Sequence, residues 1–238
     1  MTARPGTTAL PEGDDKVQAV RAMFDTIAPR YDLVNRLMTF GMDRGWRRRA
    51  VRSLALGRGD TVVDLACGTG DLCRELQSAG YHSVGIDLSL GMLAHARTTG
   101  PLVQGDALHL PLPDGSVDGA VSGFALRNFV ELNAVFAELG RVVRPGGRVA
   151  LLDVAQPANP VLRAGHTVYF GHVVPRIGGL LSDAAAYRYL PRSVAYLPEP
   201  AEMLAGLRRA GFDAVSRQLL SGGITQLLTA TRSGGEAR

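Results

Sequence analysis

Val62-Val63-Asp64-Leu65-Ala66-Cys67-Gly68-Thr69-Gly70-Asp71 decides the fold. A short apolar run ends in an acid and opens into a glycine turn. Residues of helix-forming character, Leu72 to Ala79, follow. A second apolar run, Val84-Gly85-Ile86, then closes on Asp87. Strand, glycine turn, helix, strand, acid is the order of a nucleoside pocket at the carboxyl end of a parallel sheet. The glycines let the backbone approach a ligand without a Cβ in the way. Asp87 has the type and spacing to accept hydrogen bonds from ribose hydroxyls.

The turn separates two kinds of pocket. A dinucleotide fingerprint needs a third glycine for close packing of helix on strand, and Cys73 stands there instead. Asp64, just before the turn, would repel a pyrophosphate. It suits a ligand with positive charge, such as the sulfonium and ammonium of S-adenosylmethionine. A nicotinamide oxidoreductase is therefore the weaker reading of the same turn.

A chain of 238 residues with 46% hydrophobic content suits one α/β domain with a real core and an inserted lid. The net charge of +4 has a local concentration in Arg44, Arg47, Arg48, Arg49 and Arg52. Such a run serves nucleic acid, an anionic membrane surface or simply a solvated helix face. Trp46 is the only aromatic nearby, which disfavours nucleic-acid readout. The two cysteines, Cys67 and Cys73, lack metal-ligand spacing, and no His/Asp/Glu cluster supplies it, so no metal is expected. They suit a reduced cytoplasmic setting. No apolar run reaches the roughly 18 residues of a membrane span, and residues 1–15 read as a loose tail without a signal-peptide core.

The remainder, 16–238, reads as one domain. Residues 16–58 form a helical cap in which Val17, Val20, Met23, Phe24 and Ile27 recur at helical spacing and Pro29 marks a break. Strands are expected at Thr61–Ala66, Ser83–Asp87, Leu102–Gln104, Val117–Ser122 and Arg148–Asp153, with helices between them. The stripe Leu132, Val135, Phe136, Leu139, Val142, Val143 stops at Arg144-Pro145-Gly146-Gly147. The alternation predicts a parallel sheet with right-handed crossovers. It fails over the proline-rich, aromatic segment 155–200, which reads as a lid or substrate-binding insertion. A helix at Glu199–Ala210 and two runs, Ala214–Leu220 and Gly223–Thr231, end the chain as an antiparallel edge pair.

Several motifs together resemble one family. DLACGTGD over 64–71 is similar to the first motif of S-adenosylmethionine-dependent methyltransferases, and Gly105-Asp106-Ala107 resembles their adenine-contacting motif. Three further stretches narrow the match: FDTIAPRYDLVN over 24–35, Trp46-Arg47-Arg48 and FALRN over 124–128. With HVVPRIG over 172–178 and YRYLPRS over 187–193, they resemble the ubiquinone/menaquinone biosynthesis C-methyltransferases across about 16–232. This chain departs at Ala125, where the family has glycine, at Asp153-Val154-Ala155, where it has Glu-Phe-Ser, and at Gly123, where its serine falls. The resemblance implies a Rossmann-like methyltransferase fold with a seven-stranded, mostly parallel sheet, an antiparallel edge hairpin and a lid insertion.

It also implies methyl transfer from S-adenosylmethionine to a ring carbon of a prenylated quinol, most of all demethylmenaquinol. Another phenolic or polyketide acceptor, and a silent binding protein, remain as alternatives. On the cofactor side the expected residues are Asp64, Gly68, Thr69, Gly70, Asp87, Met92, Asp106, Ala107, Ser122 and Gly123. Met92 equally suits core packing. Arg127, Asn128 and Tyr31 are expected at the reaction centre. Arg127 would stabilise an oxyanion with its permanent charge, Asn128 would orient a quinol oxygen, and Tyr31 would relay a proton. Each also has a plain role open to it: a helix-start salt bridge, an N-cap and a core tyrosine. His172, Tyr187 and Tyr189 are expected to meet the substrate. A polyprenyl tail implies transient contact with the inner face of the membrane, through Arg44–Arg52 and the insertion. Self-association as a homodimer stays open.

Overall fold

The computed structural model describes residues 12–174, 176, 189 and 193–234. Seven strands form one sheet in the order β3-β2-β1-β4-β5-β7-β6. They are β1 (Thr61–Leu65), β2 (His82–Asp87), β3 (Leu102–Gln104), β4 (Val117–Gly123), β5 (Val143–Val154), β6 (Phe212–Leu220) and β7 (Thr225–Arg232). β1 to β5 run parallel, and β7 lies antiparallel between β5 and the edge strand β6. The expected alternation and edge pair are both present. β5 differs from expectation: it begins at Val143, opposite Val117, and the glycine turn is absorbed as a register shift before Gly119 meets Arg148.

Side chains alternate across the strands and build two cores. On one face Val62, Val121, Ala150, Leu152 and Leu227 meet α3 (Met42–Leu54) and α4 (Asp71–Ala79). On the other, Val63, Leu65, Val149, Leu151 and Leu228 meet α6 (Leu132–Val142) and α8 (Pro200–Arg209). Phe136 is 1% exposed at the centre of the second layer. Burying such a ring contributes on the order of 2–3 kcal/mol.

The cap packs over the carboxyl edge of the sheet. It comprises α1 (Gly13–Ile27), a 3-10 turn at Ala28–Arg30 and α2 (Tyr31–Met38). Pro29 sits in that turn, so the chain tightens there and continues as helix. α1 starts inside the expected tail, at Gly13. A third small core of Ile27, Val34, Met38, Met92 and Val174 joins the cap, the short helix α5 (Leu90–Ala94) and the insertion. Within the insertion, α7 (Pro160–Val168) leads into a π-helical turn, Tyr169–Val173, and Val194–Tyr196 forms a 3-10 turn. Tyr187 lies outside the described residues.

Candidate active site

The glycine turn sits between β1 and α4. Gly68 and Gly70 have φ of +56° and +80°, which glycine adopts without strain. A Cβ on Gly68 would meet no atom within 4 Å, so the turn keeps open space above it. That space is a cleft along the carboxyl ends of β1, β2 and β4. Of the residues expected on the cofactor side, Gly68, Asp87, Met92, Asp106, Ala107 and Gly123 line it. Asp87 accepts the Gly68 N–H through Oδ2 and the Ser89 N–H through Oδ1, both at 2.8 Å. Burial raises its pKa, and those two N–H groups oppose the rise.

Four other expected residues stand off the cleft wall. Asp64 lies behind the turn, 1% exposed, where Oδ2 accepts the Cys73 N–H at 3.1 Å. Gly70 caps the start of α4, one residue before Asp71, and Ser122 Oγ donates to Leu65 O at 2.8 Å within the sheet. Thr69 donates to Asp32 on the opposite side of the turn. The roof of the cleft was missed from the sequence: Val17, Val20, Arg21 and Phe24 of α1 cover it. Two clips hold α1 down. Asp25 Oδ1 accepts the Ser89 hydroxyl at 2.5 Å and the Gly91 N–H at 2.9 Å. Lys16 Nζ donates to Phe129 O at 2.9 Å and stands 3.8 Å from the Tyr196 ring centroid.

Two buried acceptors beside the cleft, Asp64 Oδ1 and Asn128 Oδ1, have no hydrogen-bond partner. Desolvation pushes the Asp64 carboxyl up to about 7. The open glycine turn, the Asp87 carboxylate and the unpartnered Asn128 oxygen on the cleft wall fit S-adenosylmethionine. Asn128 lines the cleft and is not the N-cap of α6, which is Glu131 without a side-chain bond.

A second cavity, of about 610 Å³, opens between the cap and the insertion. Its wall has two residues in common with the cleft, Tyr31 and Phe124. Phe124 has φ +63°, a left-handed conformation that costs a non-glycine residue roughly 1–2 kcal/mol. Its N–H donates to Leu152 O at 2.6 Å, and its O accepts Arg127 Nη1 at 2.7 Å. Its ring lies 6.0 Å from Trp46 and 5.7 Å from the Arg47 guanidinium. Burial raises the Tyr31 pKa against the pull of Asn35, Arg47 and Arg127, so its phenol keeps its proton.

Arg127 lines the second cavity but is not a loose cation. Nη1 pairs with Asp153, Nε donates to Ser193 Oγ at 3.1 Å, and Asp153 Oδ2 accepts the Arg127 N–H at 3.2 Å. Asp153 is fully buried. Asp153 and Ser193 were not foreseen as a clamp. The arginine run also divides in a way the sequence did not suggest. Arg47 is buried between Asp43 and Asp71, Arg48 reaches Glu75, and Arg49 reaches Gln218. They are not one basic face. In the insertion, Tyr169, Phe170 and Gly171 line the cavity, whereas the His172 side chain is exposed. The Tyr189 hydroxyl is buried without a partner, 6.5 Å ring to ring from Tyr196.

The profile of the ubiE/COQ5 methyltransferase family matches residues 12–232. The chain belongs to that family. This ubiE/COQ5 member is a methyltransferase, which removes the oxidoreductase reading. It is 44% identical over 227 residues to the ubiquinone/menaquinone biosynthesis C-methyltransferase UbiE of Syntrophotalea carbinolica, covering 91% of this chain and 95% of that one. It is also 44% identical to the demethylmenaquinone methyltransferase of Deinococcus radiodurans, covering 89% and 93%. Among solved structures it resembles the [4+2]-cyclase SpnF, with TM-score 0.67, 17% identity and coverage of 98% and 100%. Haemonchus contortus phosphoethanolamine N-methyltransferase 2, bound to S-adenosylhomocysteine, matches with TM-score 0.65, 14% identity and coverage of 92% and 60%. At those identities the likeness establishes the fold alone.

Proposed function

We propose that the enzyme transfers a methyl group from S-adenosylmethionine to a ring carbon of demethylmenaquinol, giving menaquinol. The observation that carries this is the pair of cavities sharing Tyr31 and Phe124. One is a nucleoside cleft at the sheet edge. The other is larger, largely apolar and lined by the cap and the insertion, as a ring with a greasy tail requires. The names of the relatives support the same acceptor.

Gly68, Asp87, Asp106 and Ala107 hold the nucleoside part of the donor, and Met92 packs beneath it. The donor supplies a methyl group on a positive sulfur. The chain's own residues prepare the acceptor. A phenolic hydroxyl, with a pKa of about 10 in water, must lose or share its proton before the ring carbon becomes a strong nucleophile. Tyr31 keeps its proton and donates a hydrogen bond to the quinol oxygen. The Asn128 amide, its oxygen unpartnered, orients the reacting groups. Arg127 Nη2, without a hydrogen bond among the described residues, offers positive charge to the developing oxyanion. Proximity supplies much of the remaining rate.

The test is direct. Purified enzyme with S-adenosylmethionine is given demethylmenaquinol, a soluble naphthol and simple phenols, and product is followed by mass spectrometry. Methylation of the quinol with at least a hundredfold preference is expected. Equal or better turnover of a soluble phenol sinks the acceptor assignment and favours another phenolic metabolite.

The mouth of the acceptor cavity supports membrane docking. Phe40 (74% exposed) and Met42 lie at the α2–α3 corner, facing Val161 (80% exposed) and Leu162 on α7. Arg36 and Arg44 are exposed on the flanking helices. An apolar rim with basic flanks suits the surface of an anionic bilayer. Co-sedimentation with anionic vesicles at low salt is expected, weakened by Phe40→Ser. Equal recovery in the supernatant with and without vesicles excludes it.

A further inference from the structure

Methyl transfer to a ring carbon needs a proton acceptor. As the carbon attacks, the adjacent hydroxyl becomes strongly acidic, so even a weakly basic carboxylate suffices. We propose that Asp43 is that acceptor, an assignment that rests on the acceptor cavity holding a quinol.

The cavity's own inventory points to it. Among the described residues lining the cavity, Asp43 is the sole carboxylate, and no histidine or cysteine joins it. Arg47, Arg127 and Arg163 are cations, and Tyr31 and Tyr169 are held protonated by burial. Asp43 is 4% exposed. Oδ2 pairs with Arg47, and Oδ1 accepts the Thr39 hydroxyl at 2.9 Å. A carboxylate has about four lone-pair sites, so acceptor capacity remains. The same Arg47 guanidinium lies 5.7 Å from the Phe124 ring, on the wall common to both cavities. Asp43 lines the acceptor cavity itself, and Arg47 links it to that shared wall.

A chain of ion pairs leads outward from Asp43. Arg47 also pairs with Asp71 of α4 at 3.2 Å. Asp71 pairs in turn with Arg74, so two carboxylates meet two guanidiniums and the cluster is charge-balanced. While Asp43 holds the transferred proton, Arg47 keeps the Asp71 carboxylate beside it. Tyr31 on α2, Arg127, Arg163 and Tyr169 are the other charged or titratable groups lining the cavity, besides Arg47. Arg47 and Asp71 also line a separate polar cleft on the outer side, which gives the proton a way to solvent.

The step balances. The ring carbon forms the bond to methyl, and the sulfur–methyl bond breaks with its electron pair kept on sulfur. The hydroxyl proton passes to Asp43, leaving a dienone. The ring proton then passes to water while Asp43 returns its proton to the oxygen, so one proton is released per turnover.

The experiment compares wild type, Asp43→Asn and Asp43→Glu with S-adenosylmethionine and demethylmenaquinol across pH 5.5–9. Calorimetric titration with S-adenosylhomocysteine reports an intact cleft. Asp43→Asn is expected to lower kcat by about a hundredfold or more, with S-adenosylhomocysteine affinity within twofold of wild type. Its rate should climb with hydroxide, losing the wild-type plateau. Asp43→Glu should restore the plateau and at least a tenth of the rate, which also covers a poorly folded asparagine variant. An Asp43→Asn enzyme that keeps its rate, or loses rate with the wild-type pH profile unchanged, overturns the assignment. So does an Asp43→Glu enzyme that binds S-adenosylhomocysteine yet lacks the plateau. If wild type itself fails to methylate demethylmenaquinol, the acceptor reading falls first and Asp43 with it.

Discussion

Replacing Asp153 with alanine removes the partner that neutralises Arg127. The carboxylate is fully buried, and it satisfies Arg127 Nη1, the Arg127 N–H and the Val154 N–H. The Arg127 side chain is 8% exposed, so the orphaned cation has little access to water. Leaving a buried charge unpaired costs about 3–5 kcal/mol. For a chain of this size each kcal/mol lowers Tm by roughly 2–4 °C, so a fall of about 6–20 °C is expected. The assay is thermal and urea melting of Asp153→Ala, Arg127→Met and the double variant. The double variant removes both charges and should recover much of the loss, giving a coupling of more than about 2 kcal/mol. A single-variant cost below about 1 kcal/mol, or strictly additive losses, would refute the clamp.

Three further outcomes follow from the cleft. Asp87→Ala should weaken S-adenosylhomocysteine binding at least tenfold in calorimetric titration while the protein still melts cooperatively; unchanged affinity would remove the ribose assignment. Asp64, raised to about 7 by burial, sits above its unfolded value of about 3.9. Its neutral form is therefore favoured in the folded protein. Its contribution, on the order of 4 kcal/mol, is full below about pH 4 and is lost as pH rises through 7. Asp64→Asn should flatten the fall in Tm between pH 5 and 8, and parallel profiles for the two proteins would contradict this. Lys16→Met removes one clip of α1 and should raise the release rate of S-adenosylhomocysteine several-fold in stopped-flow measurements; an unaltered rate would show that the clip is idle.

The sheet was legible because apolar runs of four to six residues alternate with helical stripes, and because glycine turns punctuate them. Asp87 and Gly68 were legible for the same reason, since local spacing fixes where a strand end delivers its side chains. What escaped lies in partners far apart along the chain. Arg47 reads as an ordinary i,i+4 pair with Asp43, and only folding brings Asp71 to its other side. Arg127 and Asp153 are 26 residues apart, and Ser193 is 66 from Arg127. The stripe Val17, Val20, Phe24 looks like core packing, yet it faces the cleft. Asp64 reads as a ligand contact, but its carboxylate faces the start of α4 behind the turn.

The two clips on α1 make the first helix a door fastened at both ends. Spent donor cannot leave, nor fresh donor enter, by the covered side until Asp25 or Lys16 lets go. Exchange along that path is expected to slow as solvent viscosity rises.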